Sequence, residues 1–198
     1  MRKTPYVIVT LFMILALLSI PAAASKIFSV PTADVAGDAF ELDFLHHRGQ
    51  SSVGAQFGLL PGLSGGLRQN FGPDRQLYAT LRGALVEETQ SRPGFALGAE
   101  LSLKQQHIYA VVSKQLGVPG LRGHFALGTG RYSRAMAGVI YMLNPVKVSN
   151  VPTVSVFAEY DGQGLAGGVI TQFSPEFKAN LAVSSQGASF GLGYKAVF

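Results

Sequence analysis

From residue 39 onward the chain alternates apolar and polar or small side chains in runs of about ten residues. Gly, Pro, Asp, Asn and Ser groups separate the runs. The pattern is clearest at the C-terminus, where Phe190, Leu192, Tyr194, Ala196 and Phe198 share one face and Ser189, Gly191, Gly193 and Lys195 the other. Segments 95–104 and 177–184 behave alike, with Phe95, Leu97, Ala99, Leu101 and Leu103 on one face and Phe177, Ala179, Leu181 and Val183 on another. Successive side chains of a strand point to opposite faces, so each run is a strand with one oily side. Twelve strands are predicted, near 39–46, 51–59, 63–71, 77–87, 94–103, 107–115, 121–128, 133–143, 153–160, 164–173, 176–184 and 188–198. The punctuation between them is the signal of turns.

The first 24 residues follow another pattern. Arg2 and Lys3 precede an apolar run from Val7 to Ile20, then Pro21 and three alanines. This is the layout of a cleaved secretory signal peptide, and the run is shorter than the about 20 residues a membrane helix needs. The expected organisation is a signal peptide over 1–24, an N-terminal periplasmic tail over 25–38, and a barrel over 39–198. A membrane strand takes about 9–11 residues. Twelve of them leave about 3–4 residues per connection, which suits hairpins. Ten strands is the alternative count, because 107–115 and 133–143 alternate poorly.

A β-sandwich would alternate as well, and the barrel is favoured over it by a secretory signal without disulfides, by the polar face and by the terminal strand. Charged residues make up 14% of the chain, against about 25% in an average soluble domain. The 24 glycines disfavour helices, since each costs about 1 kcal/mol there relative to Ala. The polar face is dominated by Gly, Ala and Ser with isolated charges, which suits a crowded barrel interior. The reading is therefore an all-β, antiparallel transmembrane β-barrel of about twelve strands in the outer membrane. Phe190, Leu192, Tyr194 and Phe198 form an amphipathic terminal strand with an aromatic end, resembling the assembly signal of bacterial outer-membrane proteins. The expected partners are outer-membrane lipid and the barrel-assembly machinery.

With the oily faces outward, the candidate lumen charges are Glu41, Asp43, Arg68, Arg82, Glu100, Lys104, Glu159, Lys178 and Lys195. Such groups need partners, because stranded buried charges cost several kcal/mol. Both barrel ends are expected on the periplasmic side, together with the two longest connections, 88–93 and 144–152. Tyr109, Tyr141, Tyr160 and Tyr194 are candidates for interfacial girdles. Without Arg2 and Lys3, the 16 Lys and Arg fall to 14 against 11 Asp and Glu, a balance of +3. No basic cluster suggests a nucleic-acid partner.

Candidate chemistry is sparse. The chain has no Cys, which excludes disulfides, thiolate metal sites and thiol nucleophiles. The stretch His46-His47-Arg48-Gly49-Gln50-Ser51-Ser52 could place a His beside a Ser as general base. Outer-membrane phospholipases use a His-x-Ser-Asn-Gly pattern, but here Arg48 follows at the Ser position and no Asn follows. A polar turn is the preferred reading, with His47 and Ser51 the residues to test. His107 and His124 are isolated, without metal-ligand spacing. Gly128-Thr129-Gly130 lacks the strand–helix setting of a phosphate loop, and Glu159 with Asp161 enters a Gly turn. No cofactor is expected and the protein is not read as an enzyme.

Two stretches carry a family resemblance. Ile27 to Gly37, IFSVPTADVAG, before an amphipathic strand, resembles the opening of YjbH-type barrels. These are outer-membrane proteins associated with exopolysaccharide production. Val151 to Gly162, VPTVSVFAEYDG, before a Gly-rich strand, is similar to their recurrent strand–turn repeat. The resemblance covers about a quarter of the chain after the signal. It implies an outer-membrane location, polysaccharide export components as partners, and no catalytic residue. The leading functional expectation is a non-enzymatic structural or accessory barrel linked to surface polysaccharide export. The alternative is a small passive pore or transport channel, and the third is an outer-membrane lipid hydrolase.

Overall fold

A computed structural model describes residues 26–35, 37–72, 75–144 and 151–198. The predicted signal peptide lies outside the described residues. The strands are β1 (Ala39–His47), β2 (Gln50–Leu60), β3 (Leu63–Phe71), β4 (Gln76–Val86), β5 (Gly94–Leu101), β6 (Gln106–Gln115), β7 (Leu121–Gly128), β8 (Met136–Met142), β9 (Thr153–Tyr160), β10 (Leu165–Gln172), β11 (Phe177–Ser184) and β12 (Gly187–Val197). Each pairs antiparallel with its sequence neighbours, and β1 pairs with β12 to close the barrel. That seam runs from Ala39 opposite Val197 to His46 opposite Phe190. The closed all-β barrel of twelve strands is thus as read from the alternation, and closure removes every free sheet edge.

Segment 133–143 differs most from its expected bounds. The connection after β7 contains a 3₁₀ turn at Gly130–Tyr132, and β8 begins only at Met136. Ala135 has φ 55, a conformation no strand residue adopts, so the strand cannot start earlier. This connection belongs to the end of the barrel that holds the β1–β2, β3–β4, β5–β6, β9–β10 and β11–β12 turns, here called the upper rim. The other connections and the barrel's two chain ends form the lower rim.

The oily faces point outward. Phe57, Leu67, Leu81, Leu97, Ile108, Phe125, Val139, Val169, Leu181 and Leu192 are all exposed. On the opposite face, glycines provide space for long neighbours across the strand pair. A Cβ on Gly98 would lie 2.2 Å from the Tyr109 ring, and one on Gly193 2.6 Å from Lys178 Cε. Small residues on the inner face are therefore seats for the side chains that fill the lumen.

The N-terminal segment departs from expectation. Residues 26–35 do not form a free tail but run inside the barrel, where Ile27, Phe28, Val30, Thr32 and Ala33 are buried. A turn closes its tip, with Ile27 N–H donating to the Val30 carbonyl at 3.0 Å and a bridge between Lys26 and Pro31. Its apolar side chains explain the position. Val30 and Ala33 pack with Ala96, Tyr109, Val111, Ala126, Tyr132 and Met136. Ile27 and Phe28 pack with Phe157 and Ala182 on the other side. A barrel this small leaves its inward apolar residues without a core, and this segment supplies one.

Candidate functional site

The lumen is divided by the N-terminal segment into two vestibules. The upper one has a volume of about 940 Å³ and carries Arg48, Arg68, Arg131 and Arg134 with Lys26 on its walls, against Asp161. Gln50, Gln105, Gln106, Gln163, Gln186 and Asn70 add neutral donors and acceptors. A cleft with an excess of one sign of charge between low-dielectric walls focuses the field and concentrates counter-charged solutes. The lower vestibule, about 700 Å³, is mixed in sign, with Glu41, Asp34, Glu88, Arg122, Lys178 and Lys195.

Asp161 anchors the upper rim. It lies in the β9–β10 turn and accepts from Arg48 Nη2 at 3.0 Å, Gln163 N at 2.9 Å and Gly164 N at 3.0 Å. His47 Nε2 stands 3.2 Å from Oδ2. Since a carboxylate only accepts, Nε2 carries a proton, and Nδ1 lies 2.9 Å from Ser189 Oγ. Burial alone would raise the Asp161 pKa, but the bonds from His47, Gln163 and Gly164 and the charge of Arg48 outweigh it and hold the carboxyl below its ordinary value.

The row Ser189–His47–Asp161 has the composition of a hydrolytic triad, but Ser189 is 3% exposed. It is therefore a tie between β1, β12 and the β9–β10 turn, with no nucleophile open to a substrate. His47 and Ser51 do not meet, because they project from opposite faces of the wall. Ser51 instead bonds His46 Nδ1 at 2.9 Å, and the His46 ring stacks on Phe190 with centroids 5.5 Å apart. Alternation explains the exchange of partner: Ser51 is register-paired with His46, while His47 faces Gln50.

At mid-depth the charges are paired. Arg68 grips Glu100 with two bonds of 2.9 and 2.8 Å, and Arg131 and the Tyr132 hydroxyl reach the same carboxylate at 3.2 and 3.0 Å. Tyr132 is drawn into the lumen by the β7–β8 connection and stacks on Tyr109 at 4.2 Å. Lys26 Nζ bonds Asp43 at 2.6 Å. Glu159 accepts from Ser29 N, Ser29 Oγ and Val30 N, and Arg82 donates to the Thr32 carbonyl. Ser113 Oγ accepts the Ala33 N–H and is hydrogen-bonded to His124 Nδ1, both at 2.7 Å. Lower down, Arg122 Nη2 pairs with Asp34 at 2.7 Å and with Glu88 at 2.6 Å.

The structure thus brings Glu41, Asp43, Arg68, Arg82, Glu100, Glu159, Lys178 and Lys195 to the lumen, with Lys195 3.1 Å from Glu41. Lys104 is a correction. β5 ends at Leu101, and Ser102 Oγ accepts from Lys104 N and Gln105 N, which puts Lys104 on an exposed hairpin turn. Tyr109 is another, since it is 4% exposed in the lumen, whereas Tyr141, Tyr160 and Tyr194 are outward. His107 and His124 are both inward and buried. Lys26, Asp34, Arg48, Glu88, Arg122, Arg131, Arg134, Asp161 and Glu176 also line the lumen, outside the set read from the sequence. The first two lie before the first strand and the rest, Arg122 apart, in connections, where strand alternation is silent. Arg122, register-paired with Ile140 in β7–β8, was the one open to alternation.

Solved structures include a likeness to this barrel. The barrel is similar to the KdgM porin. That porin was solved in complex with disordered oligogalacturonate; the two align with a TM-score of 0.57 and 9% identity, over 81% of this chain and 99% of that one. At this identity the likeness is one of fold, a small closed β-barrel. No protein-family model matches the chain, and no curated protein matches its sequence. Nothing in these comparisons supports the YjbH-type likeness. Its two stretches prove to be the segment buried in the lumen and β9 with its turn.

Proposed function

We propose that this protein is a narrow passive pore of the bacterial outer membrane that favours small anionic, hydrogen-bonding solutes. The observation that carries the reading is the upper vestibule of about 940 Å³, where four arginines and a lysine outnumber Asp161, Glu100 and Asp43, the carboxylates paired with them. The porin-like fold supports it, and the oligogalacturonate named for the KdgM structure makes acidic sugars the cargo to try first. Guanidinium groups match carboxylates bidentately, and the glutamines suit hydroxyl-rich chains. The reading gives Arg48, Arg131 and Arg134 a place on the solute's route.

The test is conductance of the refolded protein in planar bilayers. Steady single-channel steps with an anion-biased reversal potential are expected, and steps that shorten or block when oligogalacturonate is added. Silence from a preparation that shows heat-modifiable gel mobility would overturn the pore. One observation favours a second reading, a closed structural barrel: residues 26–34 fill much of the mid-lumen. The link to surface polysaccharide export now rests on the two YjbH-like stretches alone, and co-purification of export components with the folded barrel would test it.

A further inference from the structure

We infer that residues 26–34 are the resident constriction of the pore, and that Lys26 is its charge filter. The inference rests on the pore reading and deepens it. The segment is not held by a single latch. It has apolar contacts on two sides of the barrel, and polar anchors to Glu159, Arg82, Ser113 and Arg122 at four separate strands. A segment fixed at so many independent points stays in place while solute passes beside it.

The free path lies along the β1–β4 wall. Tyr132 and Val30 close the β5–β8 side, and Ile27 and Phe28 with Phe157 and Ala182 close the neighbouring β9–β11 side. Beside them a gap of about 50 Å³ is bounded by Lys26, Ser29, Asp43, Gly54, Arg68, Arg82, Glu100 and Arg131 among others. Lys26 is common to this gap and to both vestibules. An ion that takes this route meets the Lys26 ammonium and its partner Asp43. Four cationic groups face two carboxylates around the gap, so the filter favours anions. Lys26 is paired with Asp43 at 2.6 Å and the two side chains are 26% and 24% exposed, so the water column meets the pair, and removing the ammonium leaves the Asp43 carboxylate facing it.

Three sets of proteins test this in bilayers under a salt gradient. Lys26→Gln should move the reversal potential toward cations at nearly unchanged conductance, Lys26→Glu should move it further, and Lys26→Arg should restore it. Deletion of residues 26–34, with folding verified by heat-modifiable mobility, should raise conductance several-fold. A Cβ on Gly94 would lie 3.4 Å from that of Ala33, close to the disulfide range of about 3.5–4.5 Å. Oxidised Ala33→Cys/Gly94→Cys in this Cys-free chain should conduct like wild type, because a resident filter need not move. Loss of conductance on oxidation, restored by reductant, would overturn residence in favour of a moving plug. Equal conductance with and without the segment, and no shift for Lys26→Gln, would overturn the inference while leaving the pore. Silence from both the folded wild type and the folded deletion would overturn the pore itself.

Discussion

Asp161 shows how much one carboxylate in a turn can organise. Its neighbours tie together β1, β12 and the β9–β10 turn through His47, Arg48 and two backbone N–H groups. Hydrogen bonds to a charged group contribute about 1.5–3 kcal/mol each at most, so Asp161→Ala should destabilise the folded barrel by an amount of that order. The urea midpoint of heat-modifiable mobility at pH 7 measures it. Because the folded-state pKa is depressed, this stabilisation is fully present above the unfolded value of about 3.9. It is lost as pH falls through the lower folded value. The wild-type advantage over Asp161→Ala should therefore persist at pH 5 and shrink toward pH 2. An advantage independent of pH across that interval would show that the charge is not what matters. Nothing in the sequence marks Asp161 for this role. Its partners are 114 and 113 residues away, and in the chain it is simply the Asp of a Gly turn.

At the scale of elements, β12 is the segment whose character alternation revealed most fully. Phe190, Leu192, Tyr194 and Phe198 are outward, as the period of two requires. Phe198 lies just past the strand, and its N–H donates to the Asp38 carbonyl at 3.1 Å, extending the β1–β12 seam. The role of this strand as an assembly signal is a proposal. Removing Phe198 should lower the yield of heat-modifiable barrel in the membrane fraction several-fold, while costing only about 0.5–1.5 kcal/mol of stability for the lost bond. Unchanged yield would dismiss the signal. The N-terminal segment is the opposite case. Its sequence, KIFSVPTADV, is too short and too irregular to show a period, so it reads as a tail. Its apolar residues acquire meaning only when a lumen with matching apolar patches closes around it.

For the whole molecule, the outward belt separates a membrane barrel from a soluble one. Leu81 lies in the middle of β4 and is 50% exposed. Leu81→Arg should cost about 2–4 kcal/mol in a bilayer, the scale for a basic residue on the lipid face near the midplane. Refolding into lipid vesicles with a denaturant titration measures it. A neutral effect would mean that this face meets water. The same belt accounts for the low charge of the chain. Half of each strand faces outward without need of charge, and most lumen charges are paired across the interior.

The sequence by itself determined the strand-and-turn pattern, a count of about twelve, the face on which most strand side chains fall, and the character of both faces. Those follow from local geometry, because a strand's period of two is written in any ten residues. It also marked many of the lumen charges, since these lie within strands. Only the tertiary structure decided what fills the lumen, which charges pair, and where the narrow point lies. Each depends on groups brought together by closing β1 onto β12: Lys26 against Asp43, Glu159 against the Ser29 and Val30 backbone, Tyr132 folded back onto Glu100. Closure turns distant positions into neighbours without leaving a local pattern, so no window of the chain could have shown them.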